Sequence, residues 1–102
     1  MSYVKAYSQM ITAMLEPASW DEVYFSLLSA KSQLQSLPGW QGFEMWANKK
    51  SSGDIKLVVV TNWEHAEQLE VWMDNEASVG AILRAMNPPP LSMDMELYEE
   101  IL

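Results

Sequence analysis

The chain contains no cysteine, only six basic residues and a single histidine among its 102 residues. Without cysteine it forms no disulfide and offers no thiolate metal ligand or thiol nucleophile. Its basic residues are scattered and its net charge is −8, whereas nucleic acids and anionic membranes need a clustered basic face, so both are disfavoured as partners. No basic-then-apolar signal and no apolar run of about 18 residues is present, so we expect a cytoplasmic protein.

Apolar residues are abundant for a chain of this length. Hydrophobic residues make up 49% of the chain, with eight methionines and five tryptophans. The length predicts one domain over residues 1–102. Because a domain of about 100 residues buries only roughly 60–70% of its unfolded surface, a second source of burial is expected.

The spacing of the apolar residues predicts six elements in the order β-α-β-β-α-β. The predicted strands cover residues 3–15, 40–48, 55–63 and 91–101, and the predicted helices cover residues 19–37 and 64–86. Ser19 and Glu22 match a capping box, and Pro38-Gly39 ends the first helix. A kink or short break is expected at residues 74–76 of the second helix. This order predicts an α+β, ferredoxin-like fold, with an antiparallel sheet and both helices on one face.

The middle strands carry apolar side chains on both faces. A sheet covered by helices on one side normally presents a polar opposite face. Here that face is predicted to hold Trp46, Val58 and Val60, an apolar patch that needs cover. The same face of a second copy would cover it, so we expect a homodimer; the alternative is a domain with one slightly apolar face.

Two segments carry a family resemblance. The first is PGWQGFEMW, and the second, after the polar hairpin, is DIKLVVVTNWEHAEQLEVWM. Together with the element order they resemble the antibiotic biosynthesis monooxygenase domain of the dimeric α/β-barrel superfamily. The matching positions are Pro38, Gly39, Trp40, Gly42, Glu44, Trp63, Leu69 and Trp72.

The resemblance implies a sheet-to-sheet dimer with a pocket between the helices and the sheet of each subunit. The family that the chain resembles includes cofactor-free monooxygenases of quinols and polyketides, haem-degrading and isomerase-like enzymes, and proteins without known activity. Its haem degraders use a strand Asn, a helix Trp and a His ligand. Of these only Trp72 is matched, since Ile11 and Ile82 occupy the other two positions, so haem degradation is disfavoured.

The leading hypothesis is a monooxygenase-like enzyme acting on a small aromatic or polycyclic phenol or quinol, with no metal, flavin or other cofactor. The alternative is a non-catalytic dimeric relative that binds a small apolar ligand or is purely structural. The predicted catalytic residues are Trp72, Asn62 and Arg84, and Gln9 and Tyr98 are further polar candidates. The predicted substrate-binding aromatics are Trp20, Tyr24, Phe43, Trp63 and Trp72. Each could instead be a core or surface residue, and His65 is interpreted as a surface or capping residue.

Overall fold

A computed structural model describes residues 6–101. Its elements are β1 (Tyr7–Leu15), α1 (Trp20–Leu34), β2 (Trp40–Lys49), β3 (Ile55–Trp63), α2 (Ala66–Met73), α3 (Val79–Arg84) and β4 (Ser92–Glu99). The first residues of the predicted opening strand, 3–5, lie outside the described part. None of the described helices is long and apolar enough to cross a membrane.

The four strands form one antiparallel sheet in the order β2-β3-β1-β4. The central strands β1 and β3 bury alternate residues, because successive side chains of a strand point to opposite faces. The buried set includes Ile11, Leu57 and Val59, which pack beneath the helices. The predicted α+β, ferredoxin-like fold is therefore confirmed.

The second predicted helix is two helices, α2 and α3, separated by residues 74–78. Asn75 holds the intervening turn, because its side-chain oxygen accepts a hydrogen bond from the Ala77 backbone N–H at 2.8 Å. Ser78 then takes an extended conformation, and its hydroxyl accepts from the Ala81 backbone N–H at 3.3 Å. This is a side-chain cap at the start of α3, so the expected break at residues 74–76 is confirmed.

The capping box predicted at Ser19 is wrong. Ser19 has helical backbone angles, φ −89° and ψ −8°, and makes no side-chain cap hydrogen bond. Residues Pro17–Ser19 form a 3-10 turn that runs directly into α1. Ser19 is thus already inside a helical turn, whereas a capping residue needs an extended conformation.

The turn between α1 and β2 depends on glycine. Gly39 has φ +79°, a region that other residues rarely adopt, and its carbonyl accepts from the Glu64 backbone N–H at 2.8 Å. The side-chain amide of Gln68 occupies the space that a Cβ at residue 39 would fill. The Pro-Gly-Trp segment therefore packs the start of β2 against α2 and the residues just before it.

The face of the sheet opposite the helices is uncovered in the single chain. Trp46 of β2, Val58 of β3 and Thr12 of β1 lie side by side across this open face, and Val60 and Met10 form the adjacent row. Trp46 is 63% exposed. The predicted placement of Trp46, Val58 and Val60 on one face is confirmed, while the dimer they suggest remains a prediction.

Candidate functional site

A cavity of about 240 Å³ lies on the helix side of the sheet, beneath the break between α2 and α3. It is called here the Gln9 cavity, and its walls come from β1, β4 and the two helices. They consist of Gln9, Met73, Asp74, Ser78, Gly80, Arg84 and Met95. The break forms this cavity because it separates two helices that would otherwise continue as one over the sheet.

Gln9 is the polar side chain at the floor of this cavity, and it is only 3% exposed. It occupies an inward position of β1, where its neighbours Ile11 and Ala13 are core residues. Its amide nitrogen donates to the Met95 sulfur at 3.3 Å, and its amide oxygen accepts from the Thr61 hydroxyl at 3.5 Å. A buried amide is thus held between two strands beside an empty volume.

Thr61 links Gln9 to the core. The Trp63 indole N–H donates to the Thr61 hydroxyl oxygen at 3.0 Å, and both side chains are almost fully buried. The three side chains therefore form one hydrogen-bonded chain that runs from Trp63 through Thr61 to Gln9. Because unpaired buried polar groups are costly, these hydrogen bonds fix the orientations of the three side chains.

The rim of the cavity contains its one basic side chain, Arg84, which is exposed. The guanidinium lies against Gly80, since a Cβ at Gly80 would be 3.5 Å from an Arg84 nitrogen and 3.2 Å from the Met95 methyl. A side chain at residue 80 would project between these two cavity walls. Gly80 therefore keeps the cavity open.

A second cavity of about 310 Å³ lies further along the same groove, between α2 and the edge strand β4. It is called here the Tyr7 cavity, and its lining residues include Tyr7, Leu97 and Met73. Met73 lines both cavities and lies between them. Because methionine has three rotatable bonds, this partition is a flexible one.

The structure places Trp72 and Trp63 in the core. Both are at most 1% exposed, and their ring centroids lie 6.4 Å apart with the planes inclined by 35°. Neither side chain lines the Gln9 cavity. The Trp72 indole N–H is buried without a hydrogen-bond partner among the described residues. The adjacent Met73, rather than Trp72, forms the wall of this cavity, so the predicted catalytic and substrate-binding roles of Trp72 stay predictions.

Asn62 lies on the opposite face of the sheet from Arg84. It follows Thr61 along β3, so its side chain points away from the helices, where it accepts a hydrogen bond from the Ser8 hydroxyl. Asn62 and Arg84, both predicted to be catalytic residues, therefore do not meet beneath the helices, because the pleat of β3 places them on opposite faces of the sheet. Asn62 instead borders a polar groove on the open face, together with Ser8 and Tyr98.

The other predicted aromatics also lie outside the Gln9 cavity. Trp20 and Phe43 are partly buried and pack against the core, and Tyr24 is 39% exposed with its ring centroid 6.1 Å from that of Trp20. The structure therefore does not bring these predicted substrate-binding residues together at this cavity.

Tyr98 is an exposed residue of the open face. Its hydroxyl donates to a Glu96 carboxylate oxygen at 3.0 Å. This hydrogen bond, followed by partial desolvation and the negative charges of Glu96 and Asp94, raises the pKa of Tyr98 above its usual value. Tyr98 therefore stays protonated at neutral pH and is a poor general base.

His65 precedes α2 with an exposed side chain, 3.9 Å from a Glu64 carboxylate oxygen. It makes no side-chain cap hydrogen bond. Within residues 6–101, no cluster of three His, Cys, Asp or Glu side chains is arranged to hold a metal ion. At the two positions compared with haem degraders, Ile11 is a core residue, and Ile82 is a residue of α3 that borders a groove against α1.

The fold is that of the antibiotic biosynthesis monooxygenase proteins. A candidate antibiotic biosynthesis monooxygenase from Caulobacter crescentus superposes with a TM-score of 0.75 at 17% identity, covering 98% of this chain and 93% of that one. A second candidate, from Nitrosomonas europaea, has a TM-score of 0.76 at 8% identity, covering 99% and 95% of the two chains.

A haem-degrading protein from Mycobacterium tuberculosis, in its haem-free form, also shares the fold. Its TM-score is 0.66 at 17% identity, covering 98% of this chain and 96% of that one. No protein-family model matches the chain, and no curated protein sequence matches it. At these identities the likeness establishes a monooxygenase-like fold, and the activity is argued from the site.

Proposed function

We propose that the chain is a monooxygenase-type enzyme that oxygenates a small aromatic phenol or quinol in the Gln9 cavity, using neither metal nor flavin. The observation that carries this proposal is a buried polar side chain, Gln9, beside an open volume between the helices and the sheet. A purely structural relative would have this space filled by apolar side chains.

The chemistry requires a substrate that reduces oxygen itself. A deprotonated phenol is electron-rich and transfers electrons to O₂. A ring C–H is then converted to C=O, one oxygen atom enters the product, and the other leaves as water with two hydrogens from the substrate. The chain has to bind the ring, favour the phenolate and exclude bulk water. Arg84 at the rim is the cation that would favour the phenolate, and Met73 and Met95 provide apolar walls.

Oxygen consumption by a panel of hydroquinones and naphthols, measured in the presence of a chelator, tests the activity. Incorporation of ¹⁸O from ¹⁸O₂ into the quinone product is the expected result. Arg84→Gln should lower kcat/KM about tenfold, which corresponds to ~1.4 kcal/mol of transition-state stabilisation. Lys31→Gln is the matched control, because it removes the same charge from the exposed side of α1.

A non-catalytic ligand-binding protein is the second candidate. The positions of Trp72 and Asn62 favour it, because neither of these predicted catalytic residues lines the Gln9 cavity. Binding of naphthols, followed by tryptophan fluorescence, without oxygen uptake above the blank would replace the enzymatic proposal with this one.

We also propose that the open face pairs with the open face of a second copy. Val58, Val60 and Met10 occupy adjacent positions on the two central strands, with Trp46 beside Val58 on the edge strand β2, whereas Glu44 and Glu96 flank the Val60–Met10 row at either side. An apolar centre with a charged margin is the usual composition of a protein interface. A twofold axis through this face would cover the apolar centre and leave the carboxylates in solvent.

A further inference from the structure

We infer that the Gln9 cavity selects ligands that present a hydrogen-bond acceptor or an oxyanion, because Trp63 and Thr61 orient the Gln9 amide so that its NH₂ group faces the cavity. Gln9 is thus a specificity-determining residue, and Thr61 and Trp63 are positioning residues that act through it. The inference rests on the proposed function only in taking this cavity as the ligand site.

The direction of the hydrogen-bonded chain is set at its buried end. An indole N–H can only donate, so the Thr61 hydroxyl oxygen must accept from Trp63 at 3.0 Å. The Thr61 proton is then free to point to the Gln9 amide oxygen, 3.5 Å away. Because the Trp63 N–H can only donate, the Thr61 hydroxyl donates onward, and its partner must be the oxygen of the Gln9 amide rather than the nitrogen.

The other end of the amide supports the same orientation. The Gln9 nitrogen lies 3.3 Å from the Met95 sulfur, which accepts hydrogen bonds weakly and donates none. Flipping the amide would place its oxygen against the sulfur and lose that hydrogen bond. An amide nitrogen carries two hydrogens and the sulfur engages one, so the second is available to a ligand in the cavity.

The remaining polar groups of the cavity are mostly donors as well. Arg84 donates only, and the Ser78 oxygen is engaged by the Ala81 N–H, which leaves the Ser78 hydroxyl proton for a ligand. Asp74 is the one carboxylate of the lining; like Arg84 it is exposed at the rim, so water screens both of these opposite charges. The buried surface therefore presents N–H and O–H groups to a ligand oxygen.

The test is a spectroscopic titration of 4-nitrophenol, whose phenolate is yellow and whose phenol is colourless. With the wild-type chain, the phenolate should bind about tenfold more tightly than the phenol, so the pKa of the bound probe falls by about one unit. Gln9→Glu should abolish this preference, because a carboxylate would replace the amide donor. Gln9→Leu keeps an uncharged side chain at this position and should weaken the preference without reversing it.

Thr61→Val tests the positioning role with a side chain of similar shape. Without the hydroxyl only the weak hydrogen bond to Met95 still holds the amide orientation, so the phenolate preference should fall at least twofold, and Thr61→Ser should restore it. Thr12→Val is the matched control, because Thr12 lies on the open face beside Val58 and should leave the preference unchanged.

The inference is overturned if the wild-type chain prefers the phenol, shows no spectral change up to the solubility limit of the probe, or keeps its preference in Gln9→Glu. A phenolate preference that Thr61→Val leaves intact would overturn the positioning role. A chain that binds the phenolate but consumes no oxygen with any phenol would refute the oxygenation alone, so the two failures are distinguishable.

Discussion

The two buried tryptophans of the core provide a matched pair of substitutions. Trp63 and Trp72 are 0% and 1% exposed and pack against one another. Changing either to phenylalanine removes the same atoms from the same cluster, so the two variants should lose similar packing energy. They differ in the indole N–H, which donates to Thr61 in Trp63 and has no described partner in Trp72.

That difference determines the expected stabilities. Trp63→Phe breaks a buried hydrogen bond and leaves Thr61 without its donor, which costs about 1–3 kcal/mol beyond the lost packing. Trp72→Phe removes an unpaired buried N–H, which recovers about 1–3 kcal/mol of desolvation free energy. Trp63→Phe should therefore be the less stable variant by about 2 kcal/mol or more, a difference of roughly 8–16 °C in Tm for a domain of this size.

Urea unfolding at one fixed protein concentration measures both variants, and an unchanged m-value shows that the midpoints report stability. The concentration must be fixed because self-association would add to the apparent stability. Equal losses in the two variants, or a larger loss in Trp72→Phe, would contradict the assignment of a paired N–H to Trp63 and an unpaired one to Trp72.

Four further outcomes are expected. Val58→Asp should give monomeric or insoluble protein because it charges the centre of the open face; a wild-type chain that sediments as a monomer near 11.6 kDa refutes the dimer. Haemin should give no sharp Soret band of axial ligation, because Ile82 cannot bind iron; cleaved haem products with a reductant would contradict this. Glu96→Gln should lower the pKa of Tyr98 in an absorbance titration, because an uncharged amide oxygen accepts a weaker hydrogen bond from the phenol than a carboxylate does and the negative charge is lost; an unchanged pKa would contradict the charged hydrogen bond to Glu96. Met73→Ala should join the two cavities and increase affinity for three-ring over one-ring phenols, whereas Met93→Ala, on the same side of the sheet but outside both cavities, should not.

The elements of the fold are predictable from the sequence because they follow from side-chain periodicity. Alternation along β3 separates its core residues from Val58 and Val60, and the structure has the same separation. The break after Met73 is also predictable, because Asn and Ser satisfy turn and cap positions better than helix interiors. Ser19 shows the limit of such local signals, since a preceding Pro can extend the helix backward as a 3-10 turn.

The site was harder to predict, because its members come from four separate elements. From the sequence, Gln9 is one of several polar candidates. The alternation of β1 places it among core positions, and a polar residue at a core position is the signal that distinguishes it. The same parity argument, applied to β3, would have separated Asn62 from Arg84. From the sequence, Gly80 is only a residue that weakens a helix, and its contact with Arg84 and Met95 needs three-dimensional coordinates.

Strand β1 serves two surfaces with consecutive residues. Gln9 faces the cavity, while Ser8 and Met10 on either side face the open sheet surface proposed to meet a second copy. If a ligand shifts the backbone at Gln9, it shifts Ser8 and Met10 as well, and occupancy of the cavity would then be linked to the proposed self-association. Such linkage is reciprocal: whatever factor a ligand adds to the association constant, association adds to the affinity for the ligand. Ligand affinity should therefore depend on protein concentration, even though no atom of the second subunit need touch the ligand.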